Sequence, residues 1–299
     1  MDGDLGSGIA MAQHDRIFKQ LLRVFLEDFL RLVAPQALER LDLSSPEFLD
    51  KELFGGGPHG RRREADLLVR VHTAGGIPFL IHIEIEARAG PRMPERLWRY
   101  RNHIQARYDA PVLTIVVYLK RGRPGVCLET WESALGADFT ELQYFAFGLA
   151  GCRAEEYLAR PEPLAWALAA LMDPGSWSRA ELKMACLRRI AGLRGRGDAF
   201  LLADCVENYL ELDTREVAEF EELRSRRQNK EMRAMVMTWS EKIKASAQKD
   251  LLLVQLTERF GPLPDSARRH VEEISSFQRL TRLARRVLTA GSLEEMGLA

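Results

Sequence analysis

Residues 64–88, EADLLVRVHTAGGIPFLIHIEIEAR, predict an antiparallel β-hairpin. Two apolar runs rich in β-branched residues flank a short turn that contains Gly75 and Gly76. If the hairpin is symmetric about Gly75, residues whose numbers add to 150 face each other across the two strands. This register places Asp66 opposite Glu84, with both side chains on the same face of the sheet.

Alternation along the second strand predicts two different faces. One face carries Ile81, Ile83, Ile85 and Ala87, and the other carries His82, Glu84, Glu86 and Arg88. With the hairpin register, Asp66, Glu84 and Glu86 converge to form what we call the carboxylate cluster. Like charges at short range disfavour one another unless a cation neutralises them, and hard oxygen ligands suit Mg²⁺ or Mn²⁺. The alternative is an exposed polar face on which Glu84 and Glu86 are only solvated.

The segments on either side of the hairpin complete an α/β pattern with a mixed sheet. A helix is predicted over His14–Val33, followed by a strand-like run over Glu47–Phe54. Met93–Tyr108 has helical spacing, and Pro111–Leu119 is a continuous β-branched run of the kind buried on both faces of a sheet. A last strand-like piece lies near residues 140–150.

The rest of the chain is predicted to be helical. Its helical segments are Leu164–Met172, Arg179–Leu193, Ala199–Leu210 and Glu216–Gln248, with a closing helical unit over Asp250–Ala299. The amphipathic segments after Pro161 are also the only support for a different hypothesis, in which the chain is an interaction scaffold or homo-oligomer. Internal packing explains these segments more simply.

Composition restricts the class of protein. The chain has 299 residues, of which 46% are hydrophobic and 29% charged, so a fibre, a disordered chain and a disulfide-stapled peptide are excluded. The apolar stretch LAWALAALM is too short for a membrane helix, and residues 1–11 are expected to form a disordered tail without a signal-peptide pattern. The four cysteines form no CxxC pair. We therefore expect a cytoplasmic protein with no membrane partner.

Charge is balanced over the whole chain but locally uneven. The sequence has 43 Lys and Arg against 43 Asp and Glu. Residues 58–125, however, contain thirteen basic and six acidic residues, a net charge of about +7 that would attract a polyanion. The arginines expected to neutralise backbone phosphates without reading sequence are Arg61, Arg62, Arg63, Arg96 and Arg99.

Several ordered motifs resemble the PD-(D/E)XK nuclease superfamily, in particular its recombination-promoting nuclease and transposase branch. The similar residues are His14-Asp15-x-x-Phe18-Lys19 in the first helix, Asp66-Leu67-Leu68 at a strand start, Glu84-Ile85-Glu86 where the family has Glu-x-Gln, Met93, Arg96 and Tyr100 in the next helix, and Val112–Leu119 in the strand after it. The resemblance covers residues 12–150. Leu251–Leu298, with Phe260-Gly261-Pro262-Leu263, is similar to a small helical domain often appended in this group.

The resemblance implies a restriction-endonuclease-like mixed sheet flanked by helices and followed by an all-helical C-terminal half. It divides the chain into a nuclease domain at 12–150, a helical region at 151–249 and a small helical domain at 250–299. It implies a Mg²⁺-dependent or Mn²⁺-dependent DNA endonuclease of a mobile-element-associated family. Weak sequence selectivity is expected on separate grounds, because the arginines would contact phosphates and the sequence offers no recognisable base-reading helix. Asp66 and Glu84 would be metal ligands, and Glu86 an auxiliary ligand or a water-orienting base.

One position departs from the family pattern. The third motif residue is usually Lys, sometimes Gln in this branch, and this chain has Glu86. A carboxylate there can bind metal or accept a proton from water, but it repels the phosphodiester. Arg88 or Lys19 could supply the missing cation. His82 shares the face with Glu84 and could be a ligand or a general base, although such a histidine more often supports the ligands or lies on the surface. A non-catalytic DNA-binding descendant of the same fold is the alternative function.

Overall fold

The computed structural model describes residues 17–49, 66–135, 138–193, 198–226, 248–274, 277–287 and 290–298. The chain divides into two units, Met1–Leu223 and Arg224–Ala299. Within the described ranges, no helix is both long and apolar enough to cross a membrane.

The first unit is built on a six-stranded mixed sheet, which confirms the predicted α/β class. Its strands are β1 (Leu41–Phe48), β2 (Leu67–Thr73), β3 (Pro78–Arg88), β4 (Val112–Arg121), β5 (Gly125–Leu135) and β6 (Asp138–Gly148). Their order across the sheet is β1-β2-β3-β4-β6-β5. The β3/β4 and β4/β6 pairs are parallel, and the other pairs are antiparallel.

The β2–β3 hairpin has the predicted register. Its pairs run from Leu67 opposite Ile83 to His72 opposite Pro78, so every pair adds to 150. In the turn, Thr73 N donates to Ile77 O over 2.8 Å. Gly76 takes a φ of 78°, a conformation that favours glycine and explains why the Gly-Gly pair is a reliable sign of this turn.

The helices before the hairpin replace the single predicted helix. Residues 17–24 form α1 and Leu26–Val33 form α2, separated at Phe25, where φ is −112° and ψ is 36°. A short α3 (Pro35–Leu38) follows. The α2 helix ends just before Pro35, which lacks the N–H that would continue it.

Helix α4 (Met93–Tyr108) connects β3 to the parallel strand β4 and covers one face of the sheet. Its buried residues recur at helical spacing: Met93, Leu97, Tyr100 and Ile104. Tyr100 and Ile104 pack with Leu80 of β3, and Met93 and Leu97 pack with residues of β4 and β6. The face of β3 that carries the acidic residues is therefore covered by a helix.

Two strands differ from the sequence prediction. β1 begins at Leu41 instead of Glu47, and the predicted continuation to Phe54 runs past residue 49 into residues that lie outside the described ranges. β5 was not predicted at all. It is an edge strand with Glu129 and Glu132 in it, and glutamate is uncommon in strands, so the sequence carries little sign of it.

Helices follow the sheet in the first unit: α5 (Ala154–Leu158), α6 (Pro163–Leu168), a 3-10 turn (Ala169–Leu171), α7 (Arg179–Ala191), α8 (Ala199–Tyr209) and α9 (Thr214–Ser225). They pack on the N-terminal helices. Asp28 of α2 accepts a hydrogen bond from Leu164 N (3.2 Å), and the rings of Phe18 and Tyr209 lie 6.3 Å apart. These helices thus share a unit with the sheet, whereas the sequence prediction placed a domain boundary at residue 150.

The second unit contains a helix over 248–260 (α10), α11 (Asp265–Glu273) and α12 (Phe277–Val287). Its buried core includes Leu252, Leu256 and Val271. Gly261, with a φ of 79°, follows α10 and allows the chain to turn.

Candidate active site

The hairpin brings Asp66 and Glu84 together at its open end. Asp66 lies immediately before β2, and its backbone N donates to Glu84 Oε1 over 3.2 Å. In return, Ile85 N donates to Asp66 Oδ2 over 2.9 Å. Each carboxylate therefore binds the backbone of the opposite side of the hairpin, and the predicted proximity of the two residues is confirmed.

Glu84 is the buried member of the carboxylate cluster, with 3% of its surface exposed. Its Oε1 also accepts a hydrogen bond from His82 Nε2 (2.9 Å), and its Oε2 accepts one from Arg96 (3.0 Å). His82 is fully buried and packs edge-on against Tyr100 of α4, with ring centroids 5.6 Å apart. The alternative of a merely solvated Glu84 is therefore wrong, because α4 covers this face.

Glu86 lies two residues further along the same face, nearer to solvent. Its side chain is 31% exposed, and Oε1 accepts a hydrogen bond from the same Arg96 nitrogen that contacts Glu84. In the parallel register, Glu86 is the partner of Tyr118 on β4. The cluster thus runs from a buried end at Glu84 to a partly exposed end at Glu86.

Two basic side chains contact the carboxylate cluster. Lys19 of α1 forms an ion pair with Asp66 (Nζ to Oδ1, 2.8 Å), and Arg96 of α4 contacts Glu84 and Glu86. Burial alone lowers the pKa of Arg96, but its hydrogen bond to Glu86 and the charges of Glu84 and Glu86 outweigh that effect and raise the pKa overall. Arg96 therefore stays charged beside Glu84 and Glu86.

A row of polar groups that the sequence did not single out extends the site toward β5. Tyr118 on β4 is buried, and desolvation followed by the charges of Glu129 and Glu86 raises its pKa to about 12. Tyr144 on β6 donates to Glu129 Oε2 over 2.5 Å, and burial and this hydrogen bond raise the pKa of Tyr144. Both hydroxyls stay protonated at neutral pH. Their position follows from the register of β4 and β6, which the sequence did not reveal.

The other predicted site residues lie apart from the cluster. Arg88 is exposed beyond a register shift at the end of β3, opposite Arg121, and among the described residues it makes no hydrogen bond or ion pair with the three carboxylates. Arg99 pairs with Glu95 on the exposed side of α4. Arg96 was predicted to contact DNA, yet it contacts the carboxylates. The remaining three, Arg61, Arg62 and Arg63, lie outside the described residues.

The donor set of the cluster fits a hard divalent cation. Asp66, Glu84 and Glu86 present only carboxylate oxygens, the ligands that Mg²⁺ and Mn²⁺ prefer. No group of three metal-ligating side chains is arranged around a common point in the part of the chain that the structure describes. Instead, the oxygens hold Lys19 and Arg96. A divalent cation would therefore compete with these two side chains for the same oxygens.

Comparison of the chain with protein-family models, with curated proteins and with solved structures finds no match.

Proposed function

We propose that this protein is a metal-dependent DNA endonuclease with a restriction-endonuclease-like core. The observation that carries the proposal is the convergence of Asp66 and Glu84 across the open end of the hairpin, through Asp66 N to Glu84 and Ile85 N to Asp66. The element order around them, a helix, an antiparallel hairpin and a helical crossover to a parallel strand, supports the same fold family.

The residues divide the chemistry of phosphodiester hydrolysis among them. Asp66 and Glu84 would hold Mg²⁺ or Mn²⁺, which when bound polarises the phosphodiester and lowers the pKa of a water molecule. Lys19 adds positive charge where the phosphate must approach. Glu86 Oε2, the oxygen that Arg96 does not hold, accepts a proton from the attacking water. Tyr118 remains a neutral hydroxyl beside Glu86.

The expected partner is DNA, bound with weak sequence selectivity. Residues 58–125 carry a net charge of about +7, which favours phosphate contacts and a strong dependence on salt. Arg99 on the exposed side of α4 is one of the contacts we expect. A cytoplasmic location and a mobile-element association belong to the same proposal, and the four free cysteines fit a reducing compartment.

Plasmid nicking tests the proposal. We expect cleavage with Mg²⁺ or Mn²⁺ and none with EDTA. Asp66→Asn should reduce cleavage to the EDTA level, because the amide keeps the size of the side chain and an acceptor for Ile85 N but loses the charge that a metal requires. Glu95→Gln, an exposed carboxylate change on α4, is the matched control and should cleave like wild type. Wild-type cleavage by Asp66→Asn would exclude Asp66 as a ligand.

Substitution of Glu86 tests its role as a proton acceptor. Glu86→Gln keeps an oxygen for Arg96 but cannot accept the proton, so the nicking rate should fall by about 100-fold. Saturating Mn²⁺ should not restore it. Restoration by Mn²⁺ would instead make Glu86 a metal ligand. A higher rate for Glu86→Gln and Glu86→Lys would mean that Glu86 only repels the phosphate.

A non-catalytic DNA-binding protein of the same fold is the second candidate. It is favoured by the contact of Arg96 with Glu84 and Glu86, which gives both carboxylates a counter-ion from the protein itself. This candidate predicts salt-dependent DNA binding that EDTA does not change, without nicking in any metal. The scaffold hypothesis for the helices after Pro161 predicts self-association of the whole chain, which light scattering would measure.

A further inference from the structure

We propose that Arg96 is a built-in counter-ion of Glu84 and Glu86 that a divalent cation displaces, and that the displaced guanidinium then binds a substrate phosphate. This inference rests on the proposed function. The sequence predicted Arg96 as a surface contact for DNA. In this inference, Arg96 instead exchanges its carboxylate partners for a substrate phosphate.

The contact of Arg96 with the carboxylates uses one nitrogen for two partners. Arg96 Nη2 donates both to Glu84 Oε2 (3.0 Å) and to Glu86 Oε1. Arginine usually binds a carboxylate through two nitrogens in parallel, which is its strongest arrangement. Here Nε is buried and has no hydrogen-bond partner in the described part of the chain. The guanidinium is therefore held less firmly than its charge would allow.

Arg96 is the partner that can move. Its side chain is 35% exposed and lies in the first turn of α4, so a change of rotamer brings it into solvent without moving the backbone. Glu84 is fixed from several directions, because His82 Nε2 and Asp66 N both donate to its Oε1. Entry of a cation at these carboxylates would thus move the arginine and leave the glutamate in place.

Charge makes the two occupants mutually exclusive. Arg96 contacts both Glu84 and Glu86, and Lys19 contacts Asp66. A divalent ion bound by Asp66 and Glu84 would repel a guanidinium that stayed within hydrogen-bonding distance of Glu84. The displaced guanidinium has five N–H donors that match the geometry of a phosphate. The exchange releases this phosphate-binding group only when the metal is present.

Direct Mn²⁺ binding to the full chain, followed by electron paramagnetic resonance, tests the exchange. Arg96→Gln should bind Mn²⁺ about tenfold more tightly than wild type, because the competing charge is gone. Arg99→Gln, three residues along α4 at an arginine paired with exposed Glu95, is the matched control and should bind Mn²⁺ like wild type. Arg96→Lys, which keeps a cation beside the carboxylates and so preserves the fold, should fall between Arg96→Gln and wild type.

DNA binding provides the second measurement. In EDTA, Arg96→Gln and wild type should bind DNA equally, and with a non-cleavable DNA and Mn²⁺ the variant should bind more weakly than wild type. Equal or weaker Mn²⁺ binding by both Arg96 variants would overturn the exchange while leaving the metal site intact. Absence of Mn²⁺ binding in wild type and variants alike would overturn the proposed function as well, so the two failures are distinguishable.

Discussion

Replacing Glu84 by alanine should destabilise the protein by about 2–4 kcal/mol, because buried polar groups that lose their hydrogen-bond partner cost about 1–3 kcal/mol each. Glu84 is 3% exposed, and its oxygens accept hydrogen bonds from Asp66 N, His82 and Arg96. The truncation leaves Asp66 N and His82 Nε2 without this acceptor, whereas Arg96 keeps Glu86. Urea unfolding followed by tryptophan fluorescence measures the loss of stability, since Trp98 and Trp131 lie in the same unit with their ring centroids 6.1 Å apart.

An exposed ion pair on α4 provides the control for this prediction. Glu95 pairs with Arg99 one turn apart, and both side chains are about half exposed. Glu95→Ala should therefore cost less than about 1 kcal/mol. If Glu84→Ala and Glu95→Ala lowered the free energy of unfolding equally, the burial of the carboxylate cluster would be contradicted. Glu84→Gln, which retains the size and one acceptor oxygen, should lie between the two.

Gly148→Ala should also be strongly destabilising, by about 3 kcal/mol or more, because the added methyl group overpacks a site bounded by backbone. An alanine Cβ at this position would lie 2.1 Å from Arg123 O and 2.9 Å from Arg123 C. Gly148 ends β6, where it pairs with Gly125 and with Tyr118, so the backbone can yield only by breaking the sheet.

Gly90→Ala is the control for Gly148→Ala. Apart from its own chain neighbours, no described residue has an atom within 4 Å of the added Cβ, so the change in stability should stay within about 0.5 kcal/mol. Thermal unfolding of both variants checks the pair. Equal unfolding midpoints for Gly148→Ala and wild type would contradict the prediction, because they would show that the backbone at this end of β5 and β6 shifts to make room for the added methyl group.

The sequence predicted the hairpin more completely than it predicted the surroundings of the site. Register and strand faces follow from local features, the Gly-Gly turn and the alternation after Pro78, so Asp66 and Glu84 could be paired in advance. The burial of Glu84 could not be predicted, because alternation of polar and apolar residues normally indicates that the polar face is exposed. Here helix α4 packs over the polar face of β3.

The partners of the carboxylates also depend on tertiary structure. The sequence offered Lys19 and Arg88 as candidates for the nearby cation. In the structure, Lys19 forms an ion pair with Asp66. Arg96 was expected on a DNA-binding surface, because the sequence shows the charge of a side chain but does not show which residues that side chain contacts. Tyr118 and Glu129 reach the same face through strand pairings that include an unpredicted strand. The catalytic assignment itself stays a prediction.

The backbone hydrogen bonds of Asp66 and Glu84 have a consequence for the evolution of this chain. Both carboxylates close the open end of the hairpin, whether or not a phosphodiester is cleaved. A lineage that lost hydrolysis would therefore retain them through selection for folding alone. Glu86, on the partly exposed end of the cluster, is under no such constraint. If the proposed hydrolysis were lost in a relative of this chain, Glu86 would therefore be the first of the three carboxylates to vary.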